Sequence, residues 1–213
     1  MIIEFNNVIP TPLIDQIHFN KNAWDKKIEL NTNKTYLLTS ESGKGKSSFI
    51  SFLYGSRTDY SGEIRLNGKP WSAYSLDERS ELRCNSLSYL PQDILLFPQL
   101  TLIENLKIKN SLTHSKSEEE LKKLISTLGL SAQTNQKAAT LSKGQQQRVG
   151  LLRALIQPFE FILLDEPFSH LDQSNIEIAI QLIENVCSQN NAGYLISTLG
   201  PNHGLSVDET IYL

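Results

Sequence analysis

Tyr36-Leu37-Leu38-Thr39-Ser40-Glu41-Ser42-Gly43-Lys44-Gly45-Lys46-Ser47-Ser48, leading into Phe49 to Tyr54, is the stretch from which the rest of the chain is read. Three apolar residues in a row suit a short strand buried on both faces. Gly43 and Gly45 permit the backbone conformations that aim successive N–H groups at one anion. The helix expected from Phe49 would add its positive dipole end at the same point. Strand, glycine-rich turn and helix form the setting of a Walker A loop, which cradles a polyphosphate. Lys46 would then reach the β- and γ-phosphates, and Ser47 would place its hydroxyl on Mg²⁺. Ser42, Gly43, Lys44, Gly45, Lys46, Ser47 and Ser48 are the nucleotide-contact candidates. One position departs from the usual pattern: Ser40 stands where a glycine is common, and a positive φ there would cost about 1 kcal/mol. A plain Ser/Gly/Lys surface turn is the competing reading of the same residues.

A second stretch has matching logic. Phe161-Ile162-Leu163-Leu164-Asp165-Glu166-Pro167 delivers two carboxylates to the tip of an apolar strand. Asp165 suits Mg²⁺, a hard cation that takes oxygen ligands. Glu166 can then act as general base toward water, and an exposed Asp-Glu turn would not need four apolar residues before it. Tyr194-Leu195-Ile196 is a third apolar run of this kind. In open α/β sheets, ligands bind where strand carboxyl ends present polar residues.

Other runs fill in the fold. Ile2 to Phe5, Lys27 to Leu30 and Glu63 to Leu66 read as strands of an antiparallel layer. Ser117-Glu118-Glu119-Glu120 is a capping box opening a helix with Leu121, Leu124, Ile125 and Leu128 on one face. A further helix is expected from about Gly144 to Ile156, before Pro158. The expected architecture is α/β: a mainly parallel core sheet flanked by helices, an antiparallel layer and a mainly helical lobe. It forms one domain over residues 1–213, with the core lobe at about 1–92 and 151–213 and the helical lobe at about 93–150.

Composition narrows the function classes. The chain has 213 residues and a formal net charge of -3 without a long basic run, so no nucleic-acid partner is expected. No stretch approaches the ~20 apolar residues of a membrane span, and no secretory signal follows Met1. Cys84 and Cys187 are far apart and lack a CxxC partner, which suits two reduced thiols in the cytosol.

Three further motifs carry a resemblance. Leu141-Ser142-Lys143-Gly144-Gln145-Gln146-Gln147-Arg148 resembles the signature of the ATP-binding cassette superfamily, Tyr89-Leu90-Pro91-Gln92 its Q-loop and Ser169-His170-Leu171-Asp172 its D-loop. Their order and spacing match that family along nearly the whole chain. The resemblance implies a P-loop NTPase fold of ABC type that uses ATP and Mg²⁺. Lys46, Gln92 and Glu166 would be catalytic, and Ser47, Gln92 and Asp165 would form the metal shell. Ser142, Gly144 and Gln145 of a second copy would close on the γ-phosphate, through free N–H groups at a helix N-terminus. It also implies a homodimer, a transmembrane permease partner and a place on the inner face of the cell membrane. Leu95-Leu96-Phe97 would be the apolar floor of the permease groove, or else core. Leu96 to Glu104-Asn105 is similar to the small cassettes of lipoprotein-release, macrolide-export and cell-division systems.

Two departures stand out. Family members usually place a histidine after the last core strand, where this chain has Leu199, or Thr198 if the register slips by one; leucine donates no hydrogen bond to phosphate. His203 nearby reads as a surface-loop residue. The adenine platform would be Phe19 or Trp24, with Trp24 better suited to the core. Two alternatives therefore stay open: a nucleotide-gated clamp with little turnover, and a soluble, non-transport cassette protein.

Overall fold

The structure is a computed structural model that describes residues 1–14, 23–41, 43–198 and 202–213. Its strands are β1 (Ile2–Pro10), β2 (Lys27–Asn31), β3 (Thr35–Thr39), β4 (Tyr60–Leu66), β5 (Lys69–Pro70), β6 (Leu87–Leu90), β7 (Phe161–Asp165), β8 (Gly193–Ser197) and β9 (Glu209–Tyr212). Its α-helices are α1 (Lys46–Tyr54), α2 (Leu76–Asn85), α3 (Leu102–Asn110), α4 (Glu118–Thr127), α5 (Lys143–Leu155) and α6 (Gln173–Asn190).

Two sheets result. One is parallel, with strand order β6-β7-β8-β3-β9; the other is antiparallel, with order β2-β1-β4-β5. The parallel strands were legible because both of their faces are covered. Along β7, Phe161 and Leu163 point into a core shared with β1, β4 and α1, while Ile162 and Leu164 point into a core shared with α3 to α6. Alternate side chains of one strand therefore seal two separate cores. Phe5 stacks on Phe49 at 4.4 Å, fastening the antiparallel layer to α1. The stretch at 93–150 is mainly helical, and its buried apolar residues join the Ile162 and Leu164 core.

The structure extends several sequence expectations. The first strand runs on to Pro10 past a register shift between Asn6 and Ile9. Capping boxes start α2 at Ser75 and α3 at Thr101, in addition to the expected one at Ser117 on α4. Trp24 is buried, tilts against Phe49 and donates its indole N–H to the Lys44 carbonyl at 3.3 Å, so it is a core residue. Phe19 and Leu199 lie outside the described residues.

Gly55 closes α1 with φ 69° in the left-handed region, and a Cβ there would sit 1.8 Å from Nε1 of the buried Trp71. Left-handed strain and overpacking add, so Gly55→Ala is expected to destabilise the fold by about 2–4 kcal/mol in urea denaturation. An unchanged midpoint would mean that Trp71 is free to move aside.

Candidate functional site

The carboxyl ends of β3, β7 and β8 meet at the start of α1. Gly43 (φ 78°) and Gly45 (φ 95°) take the left-handed conformations of the turn, and Ser40 has no positive φ, so its expected strain does not arise. Side chains cap the N-termini of α2 to α6, whereas α1 begins after Gly45 without a side-chain cap. Its first N–H groups are therefore left to an anion, the arrangement that suits phosphate. Lys46 is buried, and its ammonium donates to the Ser40 carbonyl at 3.0 Å.

Gly43, Gly45, Lys46, Ser47, Ser48, Gln92 and Glu166 line one cavity of about 340 Å³. Gln92 bridges it. Its Oε1 accepts from the Ser47 hydroxyl at 3.4 Å, and its Nε2 donates to Glu166 Oε2 at 3.1 Å. The Ser48 hydroxyl accepts from Arg57 at 2.9 Å, and the Lys44 side chain is exposed. Ser42 lies outside the described residues.

Asp165 is 1% exposed. Its Oδ1 accepts from the Ser197 hydroxyl at 2.7 Å, while Oδ2 is buried and has no hydrogen-bond partner among the described residues. A buried acceptor left in that state is costly unless a ligand completes it. Among the described residues no group of three His, Cys, Asp or Glu side chains could hold a metal. Asp165 precedes Glu166, which lines the cavity with Ser47 and Gln92; one such carboxylate with phosphate and water oxygens suits Mg²⁺ and not a dedicated protein cage. The residues present thus fit Mg²⁺.

Glu166 is 8% exposed and takes φ 50°, left-handed for a residue with a Cβ, at a cost of about 1–2 kcal/mol. Its backbone N–H donates to Ser197 Oγ at 3.0 Å. Its carboxyl titrates above the ordinary range, chiefly because burial penalises the charge and then because Asp165 is adjacent, with Lys46 and Gln92 opposing. That shift suits a general base. The sequence reading missed Ser197, which bonds both Asp165 and Glu166. The parallel pairing of Asp165 with Ser197 puts it there.

The signature residues lie elsewhere. Ser142 and Lys143 are exposed, Gly144 and Gln145 are partly exposed, and none of the four lines the phosphate-loop cavity. The N–H groups expected to be free are partly occupied. Gln145 N–H donates to Ser142 Oγ at 3.2 Å, and Ser142 N–H donates to Gln145 Oε1 at 2.8 Å. A Cβ on Gly144 would lie 2.7 Å from the His170 carbonyl, so this glycine lets the signature turn pack against Ser169 to Asp172.

His203 lines a neighbouring cavity of about 360 Å³ together with Glu166, Ser197 and Thr198, and its ring meets Phe168 edge-on. It thus stands nearer the site than a surface-loop reading implied. Within the run at 95–97, Leu95 is 73% exposed and Phe97 lies under the Arg153 guanidinium, whereas Leu96 packs against the core. Leu95 joins Tyr54, Tyr89, Ile94, Lys109 and Arg153 around a groove of about 450 Å³. Buried Asn105 holds the preceding loop through both polar groups of Phe97.

Residues 25–169 match the family described as ABC transporter. The chain is 35% identical over 159 residues to the macrolide export ATP-binding/permease protein MacB of Pasteurella multocida, which covers 73% of this chain but only 24% of that protein. It is 30% identical over 204 residues to the lipoprotein-releasing system ATP-binding protein LolD of Buchnera aphidicola, covering 90% of this chain and 87% of that one. It is 32% identical over 214 residues to the thiamine import ATP-binding protein ThiQ of Haemophilus influenzae, covering 99% and 94%. Among solved structures, the dimeric structure of MJ0796, a bacterial ABC transporter cassette, matches with a TM-score of 0.83 at 24% identity, over 99% of this chain and 94% of that one. The same cassette in a post-hydrolysis state bound to ADP and Pi matches with a TM-score of 0.79.

Proposed function

We propose, from the premise that this chain belongs to the ABC transporter family and is an ATPase cassette of it, that it works as a head-to-tail dimer driving a separate transmembrane permease. One observation carries this reading. Lys46, Ser47, Gln92 and Glu166 share a cavity, while the signature residues Ser142 to Gln145 are exposed or partly exposed and do not line it. One chain thus holds half of what a triphosphate would need, and a second copy in inverse orientation would supply the rest.

The roles of these residues belong to the same proposal, and the shared cavity supports them. The uncapped start of α1, with Gly43, Gly45 and Lys46, would hold the β- and γ-phosphates. Ser47, Gln92 and Asp165 would hold Mg²⁺, which neutralises charge on the phosphate oxygens. Glu166 would accept a proton from water as its oxygen attacks the γ-phosphorus and the bond to the β,γ-bridging oxygen breaks, leaving ADP and phosphate. Ser142 and Gln145 of the partner copy would contact the γ-phosphate from the other side. Lys143, exposed at the first turn of α5 where no acidic residue offsets it, would meet the same anion.

The groove around Leu95 is the surface that suits a permease. It combines an exposed aliphatic side chain with Lys109 and Arg153, whose charged forms are disfavoured chiefly by burial. Among the described residues no helix is long and apolar enough to cross a membrane. Location on the inner face of the cell membrane follows from that reading.

The test is fractionation of cells expressing the tagged chain. The chain is expected to sediment with membranes and to co-purify in detergent with a multi-span protein, and Leu95→Glu is expected to shift it into the soluble fraction. Wild-type chain recovered entirely from the soluble fraction would remove the permease reading in favour of a soluble cassette protein.

A further inference from the structure

Gln147 is 0% exposed, although it is a polar residue in the middle of α5. Its Nε2 donates to the backbone carbonyl of Glu166 at 3.3 Å, and its Oε1 is buried with no hydrogen-bond partner among the described residues. A buried amide with one end unsatisfied is poor packing, and an aliphatic side chain of the same size would serve a core better. Its presence there points to the bond that it does make.

That bond falls on the most constrained backbone of the site. Glu166 holds a left-handed φ, which a residue with a Cβ keeps only when its surroundings over-determine it. Three donors and acceptors do so from three directions. Ser197 Oγ accepts from the Glu166 N–H; Gln147 Nε2 and the Ser169 N–H, the latter at 3.3 Å, both donate to the Glu166 carbonyl. Ser197 comes from β8, Ser169 from the turn after β7 and Gln147 from α5. The conformation directs the carboxylate to Gln92 and the phosphate-loop cavity.

The other end of the connection is the outward-facing surface. Gln147 lies five residues beyond Ser142 on the same helix, about 7.5 Å along its axis. We infer that Gln147 is a positioning residue: through its bond to the Glu166 carbonyl, the signature helix of each chain fixes the backbone that aims that chain's own catalytic carboxylate. A nucleotide contact at Ser142 to Gln145 would thus be felt at Glu166 of the chain that supplies the contact, which gives the two sites of a dimer a direct link. The inference rests on Glu166 acting as the general base.

Gln147→Met tests it in the full-length chain, because it keeps length and volume, removes the donor and also removes the orphaned acceptor. The expected result is a kcat lowered roughly tenfold, with KM for ATP within about twofold of wild type and a melting temperature that does not fall. Gln147→Glu supplies a second readout. Its carboxyl donates to the Glu166 carbonyl only when protonated, so its rate relative to wild type should rise as pH falls. Wild-type kcat in Gln147→Met, or a Gln147→Glu to wild-type ratio independent of pH, would overturn the proposal. Wild-type turnover in Glu166→Gln would instead remove the general-base reading beneath it, and that result is read independently of either Gln147 variant.

Discussion

Glu166→Gln is expected to lower ATP turnover by about 10²–10⁴-fold and to leave nucleotide affinity within about threefold. Glutamine keeps the shape and can still accept from Gln92 Nε2, so the cavity survives and only the proton acceptor is lost. The raised pKa of Glu166 adds a pH signature, with burial as its main cause and Asp165 next. Catalysis needs the ionised carboxylate, so the acid limb of the wild-type rate should lie above the ordinary glutamate range. The stability sign is opposite. A carboxyl whose folded pKa is raised favours the fold below its unfolded pKa, and this contribution is lost as pH rises through the folded value. Glutamine is neutral throughout, so Glu166→Gln should melt higher than wild type at neutral pH, with the difference vanishing in acid. Equal turnover of the two proteins, or a lower melting temperature for the variant at neutral pH, would count against the assignment. Measurable wild-type turnover would also decide between a working ATPase and the low-turnover clamp that Leu199 suggests.

The second large effect concerns the outward face. Ser142→Arg is expected to reduce turnover to near background while the isolated chain still binds ATP, because Ser142 does not line the cavity of its own chain. Arginine would place a long side chain where a second copy must approach, and it would remove the Ser142 cap from the Gln145 N–H, a loss of about 1 kcal/mol that the fold can absorb. Lys46→Ala should fail for a different reason, by weakening the grip of the chain's own cavity on the phosphates. Nucleotide binding measured on each variant separates the two defects.

How far the sequence disclosed this arrangement depends on the range of each signal. β7 announced itself because both of its faces are covered, so four apolar residues run without interruption into Asp165. α4 was legible from its capping box and apolar spacing. The same box at Ser75-Asp77-Glu78 and Thr101-Glu104 was readable for α2 and α3 and went unused, since their apolar periodicity is weak and few of their residues are buried. β9 could not be found, because four residues of ordinary composition become a strand only by pairing with β3. The phosphate-loop residues were legible for the reason that they are local: strand, turn and helix follow one another in the chain. Ser197 and Gln147 were not. Their partners are an Asp165 oxygen and a Glu166 backbone carbonyl, contacts set by sheet register and helix packing and not by any spacing in the sequence. The occupied cap at Ser142 belongs in between: Ser142 and Gln145 fit the capping-box pattern, but the resemblance drew attention to their role toward a ligand instead.

The proposal that two copies share each nucleotide is tested most directly by mixing two inactive chains. Lys46→Ala lacks the phosphate lysine and keeps the signature face; Ser142→Arg keeps the lysine and loses the face. In a mixed dimer one site combines both defects and the other combines none. An equimolar mixture should recover up to about a quarter of wild-type ATPase activity, since half of randomly formed dimers are mixed and each has one complete site. A mixture as inactive as its two parents, with exchange of subunits demonstrated, would contradict the shared site and place the whole of ATP recognition within a single chain.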